Sequence, residues 1–251
     1  MITLICCYNN IDQLDNLLLP SYNKFVKNND SANPNNLILI DSAERGFKSA
    51  AQAYNTTIKE NWENIHEKVL FCHQDIAFSN NAFINRIIEE LKDNPMQIIG
   101  VAGISTDGIV YSNLKYQRTK EYITKNRVTE NKLKVVSVDE CCFATSKEVL
   151  KQIKFDEANC YHWHLYAVDM CHQAKLLDIP SYVIPESIFH KENSDNGLYT
   201  DSHFLKTMWR LTKKYRGKIR TIYSPCYISS TSPLRALPKL ARTAIKNFLT
   251  K

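Results

Sequence analysis

The sequence predicts an α/β fold: an open, mainly parallel sheet with helices on both faces, followed by a basic amphipathic C-terminal helix. Three observations carry this reading. Residues 2–7, 37–40, 69–72 and 98–102 are nearly continuous apolar runs, the pattern of strands buried on both faces. Their starts lie 35, 32 and 29 residues apart, which leaves room for one crossover helix each. The chain has 251 residues, 44% of them hydrophobic and 23% charged, which suits one larger α/β domain or a slightly smaller one with an appendage.

Each element has its own signal. The opening run, residues 2–7, has no basic residues before it and about six apolar ones. It reads as a first strand rather than a secretory signal, so the eight cysteines are read as reduced, mostly buried thiols. Helices are predicted over about 11–27, 46–62 and 80–93, the last capped by Ser79-Asn80. Residues 105–133 are polar, with an Asp107-Gly108 turn signal, and read as a loop or hairpin excursion. Residues 135–138 and 141–145 resume strand character, and Ser146 caps a short helix to about Ile153. Over 166–178, Ala167, Met170, Cys171, Ala174 and Leu177 share a helical face. Short strands at 182–184 and 187–189 and a helix at 200–216 complete the body.

Charge separates the C-terminal stretch from the rest. From His203 to Lys251 there are 12 basic residues and no acidic one, whereas the first 202 residues hold 20 basic and 26 acidic. Over 233–249, Leu234, Leu237, Leu240, Ala241, Ala244, Ile245, Phe248 and Leu249 recur at spacings of three and four, with Arg235, Lys239, Arg242 and Lys246 on the other side. That is the pattern of a helix lying in a membrane interface; the alternative is a helix packed on the body. No apolar run approaches the roughly 20 residues needed to span a bilayer. Nucleic acid is not an expected partner, because the tail lacks interleaved aromatic residues and the body is net negative.

In open parallel sheets, ligands bind beyond the C-terminal ends of the strands. The residues there are Tyr8-Asn9-Asn10, Asp41-Ser42, His73-Gln74-Asp75 and Asp139-Glu140. Several polar strand ends together point to a cation, a nucleotide, or both. No glycine-rich phosphate motif is present, so a diphosphate needs a divalent metal or Lys/Arg. Hard oxygen ligands suit Mg²⁺ or Mn²⁺. Asp75 is the leading ligand, with His73 two residues away and pointing the same way in an extended segment; the bland alternative is that the pair caps the following helix.

These segments together resemble the family-2-like glycosyltransferases of the GT-A (Rossmann-like) fold, and most closely their streptomycin-biosynthesis-type (StrF-like) branch, over about residues 2–200. The first strand with its Tyr-Asn turn, Leu-Ile-Leu-Ile-Asp41-Ser42, the stretch from Arg45 through Lys48 to Asn55, Val-Leu-Phe-Cys-His73-Gln74-Asp75, Val138-Asp139-Glu140-Cys-Cys-Phe-Ala-Thr and Tyr161-His-Trp-His164-Leu-Tyr166-Ala-Val-Asp169 carry the likeness by order and spacing. The resemblance implies a nucleotide-diphospho-sugar donor, bound by Tyr8, Asn9, Asp41, Lys48 and Gln74 with Asp41 at the nucleobase; Trp163, inside the candidate site, is read as a face for the sugar, with packing as the alternative. The resemblance also implies a metal held by Asp75, His73 and His190, and displacement with inversion at the sugar carbon. The family's base position holds Ala167 here. Asp169 is therefore the first candidate base, with His164, Asp139 and Glu140 as rivals.

The expected organisation is a transferase domain at 1–222 and a basic tail at 223–251. The expected enzyme transfers a hexosyl or N-acetylhexosaminyl group, UDP-linked, to a glycan or lipid-linked glycan. Its expected place is the cytoplasm, peripheral on the inner membrane surface. The alternative, favoured by Ala167, is a non-catalytic sugar-nucleotide or glycan-binding member of the same fold. Cys160, His162, His164, Cys171 and His172 also form a zinc candidate, though their spacing does not match the usual ligand pairs.

Overall fold

The computed structural model describes residues 1–27, 34–191 and 201–249. Its frame is a seven-stranded sheet in the order β2-β1-β3-β11-β5-β12-β9. The strands are β1 (Thr3–Tyr8), β2 (Asn36–Asp41), β3 (Lys68–His73), β5 (Ile98–Gly100), β9 (Leu133–Val135), β11 (Cys142–Ser146) and β12 (Ser181–Val183); β4 (Ile76–Ala77), β6 (Ala102–Ile104), β7 (Val110–Ser112), β8 (Leu114–Tyr116), β10 (Ser137–Val138) and β13 (Ile188–His190) form two small sheets beside it. β1 pairs in parallel with β2 and β3, and β5 with β12. β11 and β9 run against their neighbours. The sheet is thus mainly parallel, as the apolar runs predict, with two reversed strands that those runs do not disclose.

Two predicted strands split. The run at 98–102 breaks at Val101 into β5 and β6, and 135–138 divides between β9 in the main sheet and β10 in a small one. The crossing is tight: a Cβ on Gly100 would stand 2.7 Å from the Val138 Cβ, so only glycine lets these backbones approach. The polar excursion after β6 is not bare loop; it contains β7 and β8.

Side chains alternate across the strands and fill two cores. Ile5, Phe71 and Phe143 face one, while Leu4, Cys6, Leu70, Cys72 and Cys142 face the other. The first core is aromatic, with Tyr54 edge-on to Phe71 at 5.0 Å and Phe71 stacked on Phe143 at 5.1 Å. All eight cysteines are free thiols; Cys7 is half-buried and Cys226 exposed.

The first predicted helix is irregular. α1 (Ile11–Gln13) and α2 (Leu19–Ser21) alternate with π-helical turns at Leu14–Leu18 and Tyr22–Val26, and Pro20 lies in this stretch. The second begins later than expected, as α3 (Ala50–Glu60). Gly46 at φ +65 ends a preceding turn, and Ser49 Oγ accepts from the Gln52 amide. α4 (Ala82–Asp93), α5 (Lys147–Gln152), α6 (Tyr166–Lys175) and α7 (Ser202–Lys214) follow close to their predicted places.

The C-terminal stretch is not a detached tail. A hairpin of β14 (Thr221–Ser224) and β15 (Tyr227–Ser230) spans the expected boundary at 222. α8 (Pro233–Leu249) then packs Ala236 and Leu240 into the same core as Leu205, Met208 and Tyr215. The side chains of Phe248 and Leu249 lie outside the described residues.

Candidate functional site

Register places the polar strand ends at one edge. Tyr8 lies opposite Asp41, and Cys7 opposite His73. β11, being antiparallel, starts where β3 ends, with Cys142 opposite Cys72 and the His73 amide donating to the Cys141 carbonyl at 2.9 Å. Asp139 and Glu140 therefore stand at the same sheet edge as His73, although they precede a strand of the main sheet rather than follow one.

A cavity of about 180 Å³ opens at this edge, lined by Tyr8, Asn9, His73, Gln74, Asp75 and Trp163 among others, and bordered by Ala50 at the start of α3. Gln74 acts as a strut there. Its Oε1 accepts from the Asn9 and Asn10 amides at 2.9 and 3.0 Å, and its Nε2 donates to Asn9 Oδ1. Asp41 braces the neighbouring turn by accepting from the Ala43 and Glu44 amides at 3.0 and 2.9 Å. Of the predicted residues, Asp41, Lys48, Asp139, Glu140, His164 and His190 do not line the cavity; Ser42, Tyr54 and Tyr166, none of them among the predicted site residues, do.

His73, Asp75 and His190 offer three ligand atoms within 4.8 Å of one another, and are the one such metal-competent group among the described residues. His190 reaches Asp75 because β13 pairs with β4, and the Lys191 amide donates to the Asp75 carbonyl at 2.9 Å. The two imidazoles are oriented from behind. His190 Nδ1 lies 2.8 Å from the Lys191 carbonyl, which can only accept, and Nε2 faces Asp75 Oδ2 at 3.6 Å. The Tyr166 hydroxyl donates to the Glu140 carbonyl at 3.4 Å, so His73 Nε2–H donates to the Tyr166 oxygen at 3.1 Å and Nδ1 faces Asp75 Oδ1 at 4.0 Å. Tying the outer nitrogen of each histidine is how metal-binding imidazoles are held. The Asp75 Oδ1 atom is buried with no hydrogen-bond partner, and burial holds the His73 pKa below its ordinary value against the pull of Asp75 and Asp139. A neutral imidazole and an unpaired carboxylate oxygen suit a divalent ion.

The candidate bases separate sharply. None of the four lines the cavity, and Asp169 is in addition fully buried. Asp169 is held by Lys214 Nζ at 2.6 and 2.8 Å, Tyr215 Oη at 2.8 Å and Gln173 Nε2 at 2.8 Å. That correction to the sequence expectation follows from the packing of α6 on α7, which occupies both carboxylate oxygens. Asp139 Oδ1 accepts from the Cys141 amide at 3.0 Å. His164 Nε2 lies 3.4 Å from Asp201 Oδ2, and Asp201 caps α7. Glu140 has an Oε1 with no partner. Burial, followed by the nearby Asp139 charge, pushes its carboxyl well above the usual range, partly offset by the Leu165 and Tyr166 amides.

The zinc candidate is not assembled among the described residues. Cys160 and Cys171 are buried in the core, and His172 accepts from the Tyr223 amide at 3.2 Å. His162 stacks on His203, their rings 3.9 Å apart.

A family model described as a glycosyltransferase-like family matches residues 33–187. The chain belongs to the glycosyltransferase-like family. The match includes Asp41, His73–Asp75 and Asp139–Glu140 and stops before His190, which the fold adds. Two solved structures share the fold of this glycosyltransferase-like chain. GalNAc-T7 crystallised with UDP, GalNAc and Mn²⁺ superposes with a TM-score of 0.62 at 10% identity, over 86% of this chain and 48% of that one. S. aureus TarS 1–349 in complex with UDP-GlcNAc gives 0.56 at 11% identity, over 86% and 67%. The chain thus spans about half the length of the first. No curated protein matches it in sequence.

Proposed function

We propose that this glycosyltransferase-like chain transfers a hexosyl or N-acetylhexosaminyl group from a UDP-linked donor to a hydroxyl of a glycan or lipid-linked glycan, with inversion, working peripherally on the cytoplasmic face of a membrane. Within its family we place it in the streptomycin-biosynthesis-type branch, on the His73-Gln74-Asp75 segment. One observation carries the reading: an unpaired, buried Asp75 oxygen between two imidazoles whose outer nitrogens are tied, at the mouth of a cavity formed by the strand ends.

Asp75, His73 and His190 would hold the ion. The mixed nitrogen and oxygen set favours Mn²⁺ over Mg²⁺, which prefers oxygen alone. When bound, the ion neutralises charge on the diphosphate leaving group. Tyr8 and Asn9 shape the nucleotide end of the cleft, with Gln74 fixing their loop, Asp41 holding the adjoining turn and Lys48 beside it. Trp163 offers a flat apolar face to the sugar. Glu140 is the base we assign, with Asp139 and His164 nearby. Its raised pKa makes it a stronger proton acceptor than an exposed carboxylate, and the helix start at Leu165 and Tyr166 keeps its charged form accessible.

The experiment is a thermal-shift series with UDP, Mn²⁺, Mg²⁺ and their combinations, followed by donor hydrolysis across UDP-sugars. The expected result is a shift with UDP that grows with Mn²⁺, together with slow hydrolysis of one donor. A shift without any turnover would favour the non-catalytic reading that Ala167 supports; no shift with any nucleotide would sink both.

A further inference from the structure

The sugar-transfer reading leaves a wide basic groove unexplained. It has a volume of about 1180 Å³ and lies between the turn after α7, the open end of the β14–β15 hairpin and the first turns of α8. Arg216, Lys218, Arg220, Arg235 and Lys239 line it, and no acidic side chain does. Among the described residues none of these five cations forms a salt bridge.

The same face is apolar where it should be wet. α8 buries Ala236 and Leu240, but Leu234, Leu237 and Ile245 are 89%, 55% and 61% exposed. At about 100° per residue, Leu234, Leu237, Ala241 and Ile245 fall in one outward stripe, and Arg235, Lys239, Arg242 and Lys246 fall in the next. Packing on α7 and β15 accounts for the buried face alone. An apolar stripe flanked by cations matches an anionic bilayer, whose phosphates meet the cations while the stripe enters the acyl boundary. Single-stranded nucleic acid would need exposed stacking aromatics on this face, and the stripe has none.

We propose that the groove and the outer face of α8 form one membrane-docking surface, in which phosphate headgroups of anionic lipids sit among Arg216, Lys218, Arg220 and Arg235 while Leu234, Leu237 and Ile245 insert. This deepens the membrane location proposed above and is independent of the donor site. The hairpin links the two. Its open end borders the groove, and toward its turn the Tyr223 carbonyl accepts from Ser137 Oγ at 2.6 Å, two residues before Asp139.

The test is vesicle co-sedimentation of the full chain, with phosphatidylcholine alone and with added phosphatidylglycerol. Binding should require phosphatidylglycerol and weaken with salt. Arg216→Glu with Arg220→Glu, and separately Leu234→Ser with Leu237→Ser and Ile245→Ser, should each weaken it about tenfold or more while leaving the UDP shift intact. Equal binding to both vesicles, or wild-type binding by either variant, overturns the proposal. So does displacement by inorganic phosphate beyond that of sodium chloride at equal ionic strength, which would assign the groove to a soluble phosphate ligand. Tighter binding of an RNA oligonucleotide than of vesicles, or a dimer that the serine variant dissolves, overturns it too. Loss of the UDP shift with vesicle binding retained would sink the donor reading and leave this one standing.

Discussion

Lys214 donates to both carboxylate oxygens of Asp169, at 2.6 and 2.8 Å, and to Asp156 at 2.8 Å. One ammonium at the end of α7 thus ties α6 to the loop before it. Burial raises the Asp169 carboxyl despite this partner, whereas the two carboxylates hold the Lys214 ammonium above its ordinary pKa against its own burial. The acid that the sequence offers first as a base is a brace.

That brace predicts a stability effect. Lys214→Met should cost about 3–5 kcal/mol, because it strands a buried carboxylate. Adding Asp169→Asn should recover part of the loss. Urea unfolding measures both. Full stability in Lys214→Met, or abolished turnover with unchanged stability in Asp169→Asn, would return Asp169 to the chemistry.

Tyr166 positions His73 without facing the ion itself. Tyr166→Phe should weaken Mn²⁺-dependent nucleotide binding about 10- to 100-fold, the usual loss when the partner behind a ligating histidine is removed. Asp75→Asn should remove the Mn²⁺ dependence altogether. Calorimetric titration of UDP at a series of Mn²⁺ concentrations reads both. An unaltered Mn²⁺ dependence in Asp75→Asn would exclude this trio as the metal site.

Glu140→Gln keeps shape and removes the base. Turnover should fall by about 10²- to 10⁴-fold, with the UDP shift unchanged. Because burial raises the Glu140 carboxyl, the wild-type rate should drop on the acid side at a pH above the ordinary carboxylate range. The protonated form cannot accept the acceptor's proton, and that limb should vanish in the variant. A pH–rate profile for both proteins decides it; a limb that survives belongs to Asp139 or His164.

His172 makes stability fall with acid. Burial pushes its pKa down to about 4 from 6.5, so between those values the unfolded chain binds the extra proton. The contribution is complete above about pH 6.5 and is lost as pH falls toward 4, about 3 kcal/mol in all. His172→Gln should flatten this slope in denaturation midpoints measured across the window. An equal slope in both proteins would locate the acid sensitivity elsewhere.

Much of the fold is legible in the chain. Apolar runs at crossover spacing give the strands at β1, β2, β3 and β5, since a strand buried on both faces needs a continuous apolar run. Ser146 marks a helix start because an unpaired amide there needs an acceptor, whereas the start at Ser49, three residues beyond the expected one, is not read from the pattern. The irregular segment after β1 and the splitting of residues 135–138 between two sheets are not legible. Hydrophobicity reports burial, not the direction of a strand or the sheet it joins.

The sequence by itself determined which residue types gather at the strand ends, the family they resemble, and the two-sided character of α8, because these follow from local pattern and covalent order. Only the tertiary structure decided which of them meet. The antiparallel entry of β11 brings Asp139 and Glu140 to His73, the β4–β13 pairing brings His190 to Asp75, and helix packing gives Asp169 to Lys214. Each is a contact between distant parts of the chain, set by sheet order and by the cost of leaving a buried charge without a partner, and no local pattern encodes it.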